Sequence, residues 1–106
     1  MKTNKRKRLE RAGWRVGGVG DLLGLSKEEA ALVEMKLALA RRLRSLRTNR
    51  GLSQVAVAKL LGSSQSRVAK MEVGDATVSI DLLMRSLLTI GASRRDIARA
   101  IARRAA

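Results

Sequence analysis

The sequence contains no cysteine and no histidine. These two residue types supply most transition-metal ligands and most nucleophile–base pairs, so their absence excludes a Cys/His zinc site and catalysis of the Cys–His or Ser–His type. The carboxylates that remain show no catalytic arrangement, and we therefore expect no enzymatic activity, no metal and no cofactor. Because no disulfide can form, the chain fits a reducing compartment, and we expect a cytoplasmic protein.

Proline, phenylalanine and tyrosine are also absent, and there is one tryptophan. A chain without proline favours helix. The shortage of aromatic residues argues against binding to a membrane surface and against stacking on single-stranded RNA. No stretch approaches the roughly 20 apolar residues of a membrane span, so we expect no membrane partner.

Positive charge is what the sequence has in excess. Its 106 residues include 23 Lys and Arg against 9 Asp and Glu, which gives a net charge of +14. This length predicts one small domain with a single core. An excess of this size on a small domain predicts a polyanionic partner, and nucleic acid is the first candidate.

The composition changes near residue 24. Residues 1–24 hold five glycines and the run Lys5–Arg8, and they are predicted to form a flexible basic arm. The basic run fits a disordered tail and equally an arm that folds onto DNA or onto a protein, and the sequence leaves this choice open. Residues 25–106 are predicted to form the folded domain.

Serine caps and glycine stops divide residues 25–106 into five predicted helices. Ser26 with Glu29 has the spacing of a capping box and opens a first helix that ends near Asn49. The second helix follows Ser53 and ends at Leu61 before a glycine, and the third is capped by Ser63 or Ser64 and runs to about residue 73. The fourth is predicted at residues 80–90, and the fifth starts at a second capping box of Ser93 and Asp96. We predict a compact all-α domain.

Apolar residues at helical spacing predict the core. The expected inward positions are Leu32, Met35, Leu39, Leu43, Leu46, Val55, Ala58, Leu61, Ile80, Leu83, Leu87, Ile90, Ile97 and Ile101. The arginines at 41, 42 and 44 are interpreted as a solvated face or a distant attraction to DNA, and those at 94, 95, 99, 103 and 104 as a solvated rim.

The second and third helices are related by a particular spacing. Ala58 is followed by Gly62 four residues later and by Val68 six residues after that. Two helices that meet at a steep angle need a small side chain at the contact, a glycine in the turn and an apolar anchor on the second helix. With the flanking stretches LRSLRTNRGLSQ and RVAKMEVG, residues 36–92 resemble the helix-turn-helix of the Xre family, which includes the lambda-type repressors and Cro.

The resemblance implies a five-helix lambda-repressor-like domain whose recognition helix, about residues 64–73, enters the major groove of DNA. Gln65, Ser66 and Arg67 are then expected to contact base edges. The residues expected to contact phosphates are Gln54, Ser64, Lys70, Thr77 and Ser79. By the same resemblance, Arg47 and Glu72 are expected to form a structural ion pair between the first and third helices.

A recognition helix covers a few base pairs, so we expect a sequence-specific repressor that acts as a homodimer. Leu82, Leu88, Ile97 and Ile101 are candidates for the dimer contact, although the same residues fit a core role. The segment from Gly13 onward is also similar to that of small antitoxins of the HigA kind, which would imply a cognate RNA-cleaving toxin as partner. The alternative is a stand-alone Xre-type regulator without a toxin.

Overall fold

A computed structural model describes residues 24–103. The chain divides into two units, residues 1–34 and 35–106. In the first unit, the described residues include the start of helix α1 (Lys27–Asn49). The Ser26 amide donates to Glu29 Oε1 over 2.9 Å, and the Glu29 amide donates to Ser26 Oγ over 3.1 Å, which confirms the predicted capping box. The predicted basic arm lies outside the described residues apart from Gly24.

The second unit contains the remainder of α1 and four shorter helices. These are α2 (Gln54–Leu61), α3 (Gln65–Glu72), α4 (Ile80–Thr89) and α5 (Arg94–Ala102). Each follows a serine whose side chain accepts the backbone amide three residues later, namely Ser53, Ser64, Ser79 and Ser93. Five helices and no strand among residues 24–103 confirm the predicted all-α fold.

The core of the second unit draws on every helix. Its fully buried large side chains are Leu39, Leu43, Val57, Val68, Met71, Val78, Leu83 and Leu87. Ile97 of α5 joins this cluster with 8% of its surface exposed. Removing a Leu, Val or Met side chain from water contributes about 1.5–3 kcal/mol, so this shared cluster is the main force that fixes the short helices against α1.

Two predicted core positions are wrong. Val55 is 51% exposed, and Val57 is the α2 valine that is fully buried. Residues 55 and 57 lie about 200° apart around a helix, so only one can face inward, and the exposed Lys59, one turn after Val55, marks the side of α2 that faces solvent. In the first unit, Leu32 is 52% exposed. Leu61, Ile80 and Ile101 pack against the core while remaining partly exposed.

The assignment of Arg42 to a solvated face is also wrong. Its Nε lies 3.0 and 3.1 Å from the two carboxylate oxygens of Asp96, so this ion pair joins α1 to α5. The Asp96 amide still donates to Ser93 Oγ, as expected of a capped helix. The guanidinium of Arg50 at the end of α1 donates to the Ile90 carbonyl at the end of α4. None of the described helices has the length and apolar character to span a membrane.

Candidate nucleic-acid interface

A tight turn between α2 and α3 positions the candidate site. Gly62 has φ 65° and ψ 40°, a left-handed conformation that costs other L-residues about 1–2 kcal/mol. Beyond it, the Ser63 amide donates to the Ala58 carbonyl over 2.8 Å, which closes the end of α2. The chain therefore reverses within residues 62–64, and α3 begins immediately at Gln65.

Helix α3 has one buried face and one exposed face. Val68 and Met71 are 0% and 1% exposed, and they anchor the helix in the core. The expected base-contacting residues Gln65, Ser66 and Arg67 are all exposed and lie together in the first turn. All three side chains are thus accessible in the first turn of α3, where Ser66 lies between Gln65 and Arg67, which are about 200° apart around the helix axis.

The buried ion pair at the other end of α3 joins this helix to α1. Arg47 Nε donates to Glu72 Oε2 over 2.5 Å, and Nη2 donates to Oε1 over 3.1 Å. The two side chains are only 13% and 3% exposed. The hydrogen bond to Glu72, which outweighs the opposing effect of burial, raises the pKa of Arg47 above its ordinary value. Arg47 Nη1 also donates to the Leu52 carbonyl over 2.9 Å, so the same guanidinium holds the loop before α2.

A chain of amide hydrogen bonds extends from this ion pair to Gln65. Gln54 Nε2 donates to Glu72 Oε1 over 3.1 Å, and Gln65 Nε2 donates to Gln54 Oε1 over 2.6 Å. The direction of the chain has a physical cause, because an ionised carboxylate only accepts hydrogen bonds. Gln54 must therefore direct its NH₂ group toward Glu72, which leaves its oxygen facing Gln65. Because that oxygen is an acceptor, Gln65 must donate to it from its own NH₂ group.

The outcome is a defined orientation for the Gln65 amide. One N–H of Gln65 is used by Gln54, while the second N–H and the Oε1 acceptor remain for an external partner. Adenine presents an amine donor and the N7 acceptor side by side in the major groove. The free donor and acceptor of Gln65 match that pair.

Two residues of the expected phosphate-contacting set, Gln54 and Thr77, already form hydrogen bonds within the protein. Gln54 is part of the chain just described. Thr77 donates from its hydroxyl and its amide to Asp75 Oδ2, and these bonds lower the pKa of the Asp75 carboxyl. A phosphate at Thr77 would have to displace that carboxylate.

The serines and the lysine of the expected phosphate set are more available. Ser64 and Ser79 accept from the amides of Arg67 and Leu82 as helix caps. The Ser79 hydroxyl keeps its hydrogen to donate, whereas Ser64 Oγ also lies 3.4 Å from Ser66 Oγ, where either hydroxyl can be the donor. Lys70 is exposed on α3 and forms no ion pair within residues 24–103.

The bridging role of Gln54 is what the sequence analysis missed. A signal for it exists, because the pair Ser-Gln occurs at the start of both α2 and α3, at residues 53–54 and 64–65. Each glutamine thus takes the first helical position after a serine cap, and the tight turn brings the two starts within hydrogen-bond distance. Residues 24–103 contain no group of three His, Cys, Asp or Glu side chains arranged to hold a metal ion.

Comparison with protein families agrees with this geometry. A family model described as a helix-turn-helix domain matches residues 38–101, which is more than half of the chain and includes α2, the turn and α3. The chain belongs to this helix-turn-helix family. Its class is that of DNA-binding regulators, in which the second helix of the motif contacts the major groove. No solved structure matches the chain.

Proposed function

We propose that this chain is a sequence-specific transcriptional repressor of the Xre type that binds duplex DNA as a homodimer and places α3 in the major groove. The observation that carries the proposal is the hydrogen-bonded chain from Arg47 through Glu72 and Gln54 to Gln65. It fixes an exposed amide at the amino end of α3 in an orientation that suits adenine. A glutamine that served only solubility would need no such support.

The remaining assignments follow from position. Arg67 is exposed in the same first turn as Gln65, and its guanidinium suits the two acceptors of guanine; Ser66, between them, is the third proposed base contact. Ser64, Lys70 and Ser79 are proposed to hold phosphates, because each can offer a donor hydrogen toward solvent. Gln54 and Thr77 are retained as weaker phosphate candidates, since each is already hydrogen-bonded inside the protein.

The homodimer is proposed because one α3 reaches only a half-site. Among the four candidates for the dimer contact, Ile97 is 8% exposed and part of the core, while Leu82 and Ile101 pack against the core. Leu88 of α4 is 48% exposed and remains the best candidate. The toxin-binding role depends on the segment that begins at Gly13, most of which lies outside the described residues, so DNA binding is the function we put forward.

Selection of bound duplexes from a random pool tests the proposal. The full chain is expected to enrich a two-fold symmetric site whose halves are about one helical turn apart. Replacing Gln65 or Arg67 with Ala is expected to relax one or two base positions and cost about 1–3 kcal/mol on the selected site. Lys59→Gln, a charge change at an exposed side chain outside the proposed contact set, serves as the control and should leave the selected site unchanged. If both alanine variants bind selected and random duplexes as the parent does, α3 does not read DNA.

A double-mutant cycle tests the support for Gln65. Gln54→Ala alone should weaken binding to the selected site, because Gln65 loses its fixed orientation. In a Gln65→Ala background the same change should have little further effect, since the group that it orients is gone. Additive losses would show that Gln54 acts on DNA directly.

A further inference from the structure

The outer face of α5 carries a row of arginines. Arg95, Arg99 and Arg103 follow one another at intervals of four residues along α5 and its C-cap, and all three are exposed. Side chains at this spacing lie on one side of a helix with about 5–6 Å between neighbouring Cβ atoms. Like charges at this separation repel and destabilise a helix by about 0.2–0.5 kcal/mol per pair. We call these three residues the α5 arginine face.

The acidic residue of α5 already forms an ion pair with α1. Asp96 is the one acidic residue of α5, and both of its carboxylate oxygens lie 3.0 and 3.1 Å from Arg42 Nε. Within residues 24–103, no member of the α5 arginine face forms an ion pair. The face therefore presents three positive charges to solvent without an acidic partner from the described part of the chain.

The contacts of α1 separate this face from the surface of α3. Arg42 binds Asp96 of α5, whereas Arg47 binds Glu72 of α3. Five residues of helix correspond to about 500°, so these two arginines leave α1 in directions about 140° apart. Helices α3 and α5 consequently lie on different flanks of α1, and the α5 arginine face is not an extension of the surface of residues 65–67.

The charge on this face also disfavours its use between two copies of the chain. In a two-fold symmetric contact through the outer side of α5, the three arginines of each copy would face those of the other. Guanidinium groups instead suit phosphate and carboxylate, which they bind through paired N–H donors. Three guanidinium groups in a row therefore suit a partner whose phosphate or carboxylate groups repeat along a line.

We propose that the α5 arginine face binds the phosphate backbone of a second segment of duplex DNA while α3 occupies its own site. The proposal builds on the function proposed above, which supplies the first DNA segment. A backbone repeats its phosphates at regular intervals, as the row of arginines repeats its guanidinium groups. Neighbouring DNA is also present at high effective concentration around any molecule already bound to its site, which favours DNA over an acidic protein.

The test uses the full chain and two duplexes. A short immobilised duplex that carries the selected site is saturated with protein, and a labelled duplex of random sequence is then added. The variant R95Q/R99Q/R103Q removes the α5 arginine face. A control variant, K27Q/R44Q/K59Q, removes the same number of charges from exposed positions on α1 and α2.

The parent is expected to retain the labelled duplex with a slope of log affinity against log salt near −2.7, which corresponds to about 0.9 for each of three phosphates. The α5 variant should retain at least about tenfold less, and the control should stay within about threefold of the parent. Both variants should hold the immobilised site nearly as the parent does, and circular dichroism should show unchanged helix content.

Three results would overturn the proposal: no retention of the labelled duplex by the parent, an equal loss in the control variant, or retention of polyglutamate in place of DNA. The last result would assign the face to an acidic protein. If instead the proposed sequence-specific binding by α3 is wrong, the selection from a random pool would yield no preferred site, which distinguishes that failure from these three results. In that case the salt slope of Q65A/R67A protein on random duplex, with and without the α5 substitutions, tests the α5 arginine face by itself.

Discussion

The burial of the Arg47–Glu72 ion pair allows us to predict how much free energy of unfolding is lost when either partner is replaced. Replacing Glu72 with Met leaves the Arg47 guanidinium with 13% exposure and no carboxylate, and replacing Arg47 with Met leaves the nearly inaccessible Glu72 with the Gln54 amide alone. Removing one partner of a buried pair costs about 3–5 kcal/mol, because an uncompensated charge stays in the interior. We expect about 3 kcal/mol for E72M, at the lower end because Arg47 keeps its bond to the Leu52 carbonyl, and a similar loss for R47M because Glu72 keeps the Gln54 amide.

The expected loss is large relative to the total free energy of unfolding of the domain. A domain with about 80 ordered residues has a free energy of unfolding of roughly 4–12 kcal/mol, so each single variant should lose a large fraction of it. The double variant R47M/E72M removes both charges and should be no less stable than the worse single variant. The two changes are thus expected to be non-additive by at least about 3 kcal/mol.

Urea unfolding followed by circular dichroism at 222 nm measures the free energy of unfolding of the parent and the three variants. The ion pair of Arg85 and Asp81 is the matched control, because its side chains are 69% and 76% exposed. Arg85→Met should therefore change the free energy of unfolding by less than about 0.5 kcal/mol. Single variants that each cost under 1 kcal/mol, or a double variant that costs the sum of both, would refute the reasoning.

Three further predictions concern charge, backbone and association. Lys70→Gln should weaken binding to selected and random duplexes alike and lower the salt slope by about 0.9, as measured by fluorescence anisotropy at several salt concentrations; a sequence-dependent loss would contradict a phosphate contact. Gly91→Ala should lower the melting temperature more than Gly62→Ala. Both glycines have positive φ, but the φ of 106° at Gly91 lies outside the left-handed α region that holds Gly62 at 65°. A Cβ at Gly91 would also push the Arg50 guanidinium away from the Ile90 carbonyl, whereas a Cβ at Gly62 meets open space; equal losses would contradict this reasoning. Leu88→Glu should shift the sedimentation coefficient toward that of a monomer, and an unchanged value would place the dimer contact elsewhere.

The helix boundaries were largely predictable because their signals are local. Each of α2 to α5 follows a serine that accepts an amide three residues later, and Gly62 stops α2 in a left-handed conformation. Caps of this kind act within one turn of chain, so the spacing of residue types carries them. The inward face of α2 was wrongly assigned, although Lys59 one turn after Val55 indicates the exposed side; the structure buries Val57 in place of Val55.

The exposed positions of Gln65 and Arg67 could be predicted from the sequence, whereas the hydrogen bonds that join Gln65 to Gln54 and Glu72 could not. Gln65 and Arg67 could be assigned because they occupy the first turn of a helix that follows a tight turn. The bridging role of Gln54 was not assigned, since the Ser-Gln pairs that start α2 and α3 hint at a contact with Gln65 but do not identify Glu72, 18 residues away, as the other partner. The same limit explains Arg42, whose charge resembles that of its neighbours until packing places Asp96, 54 residues away, beside it.

The amino-acid sequence by itself determined that residues 24–103 are helical, where most of their helices begin and end, and that the net charge favours an anionic partner. These properties depend on composition and on contacts within about four residues. Only the tertiary structure decided which charges are buried in pairs, which glutamine is held in place, and which arginines remain without a partner in the described chain. Those outcomes depend on side chains that meet through packing of α1, α3 and α5, and no local pattern specifies such meetings.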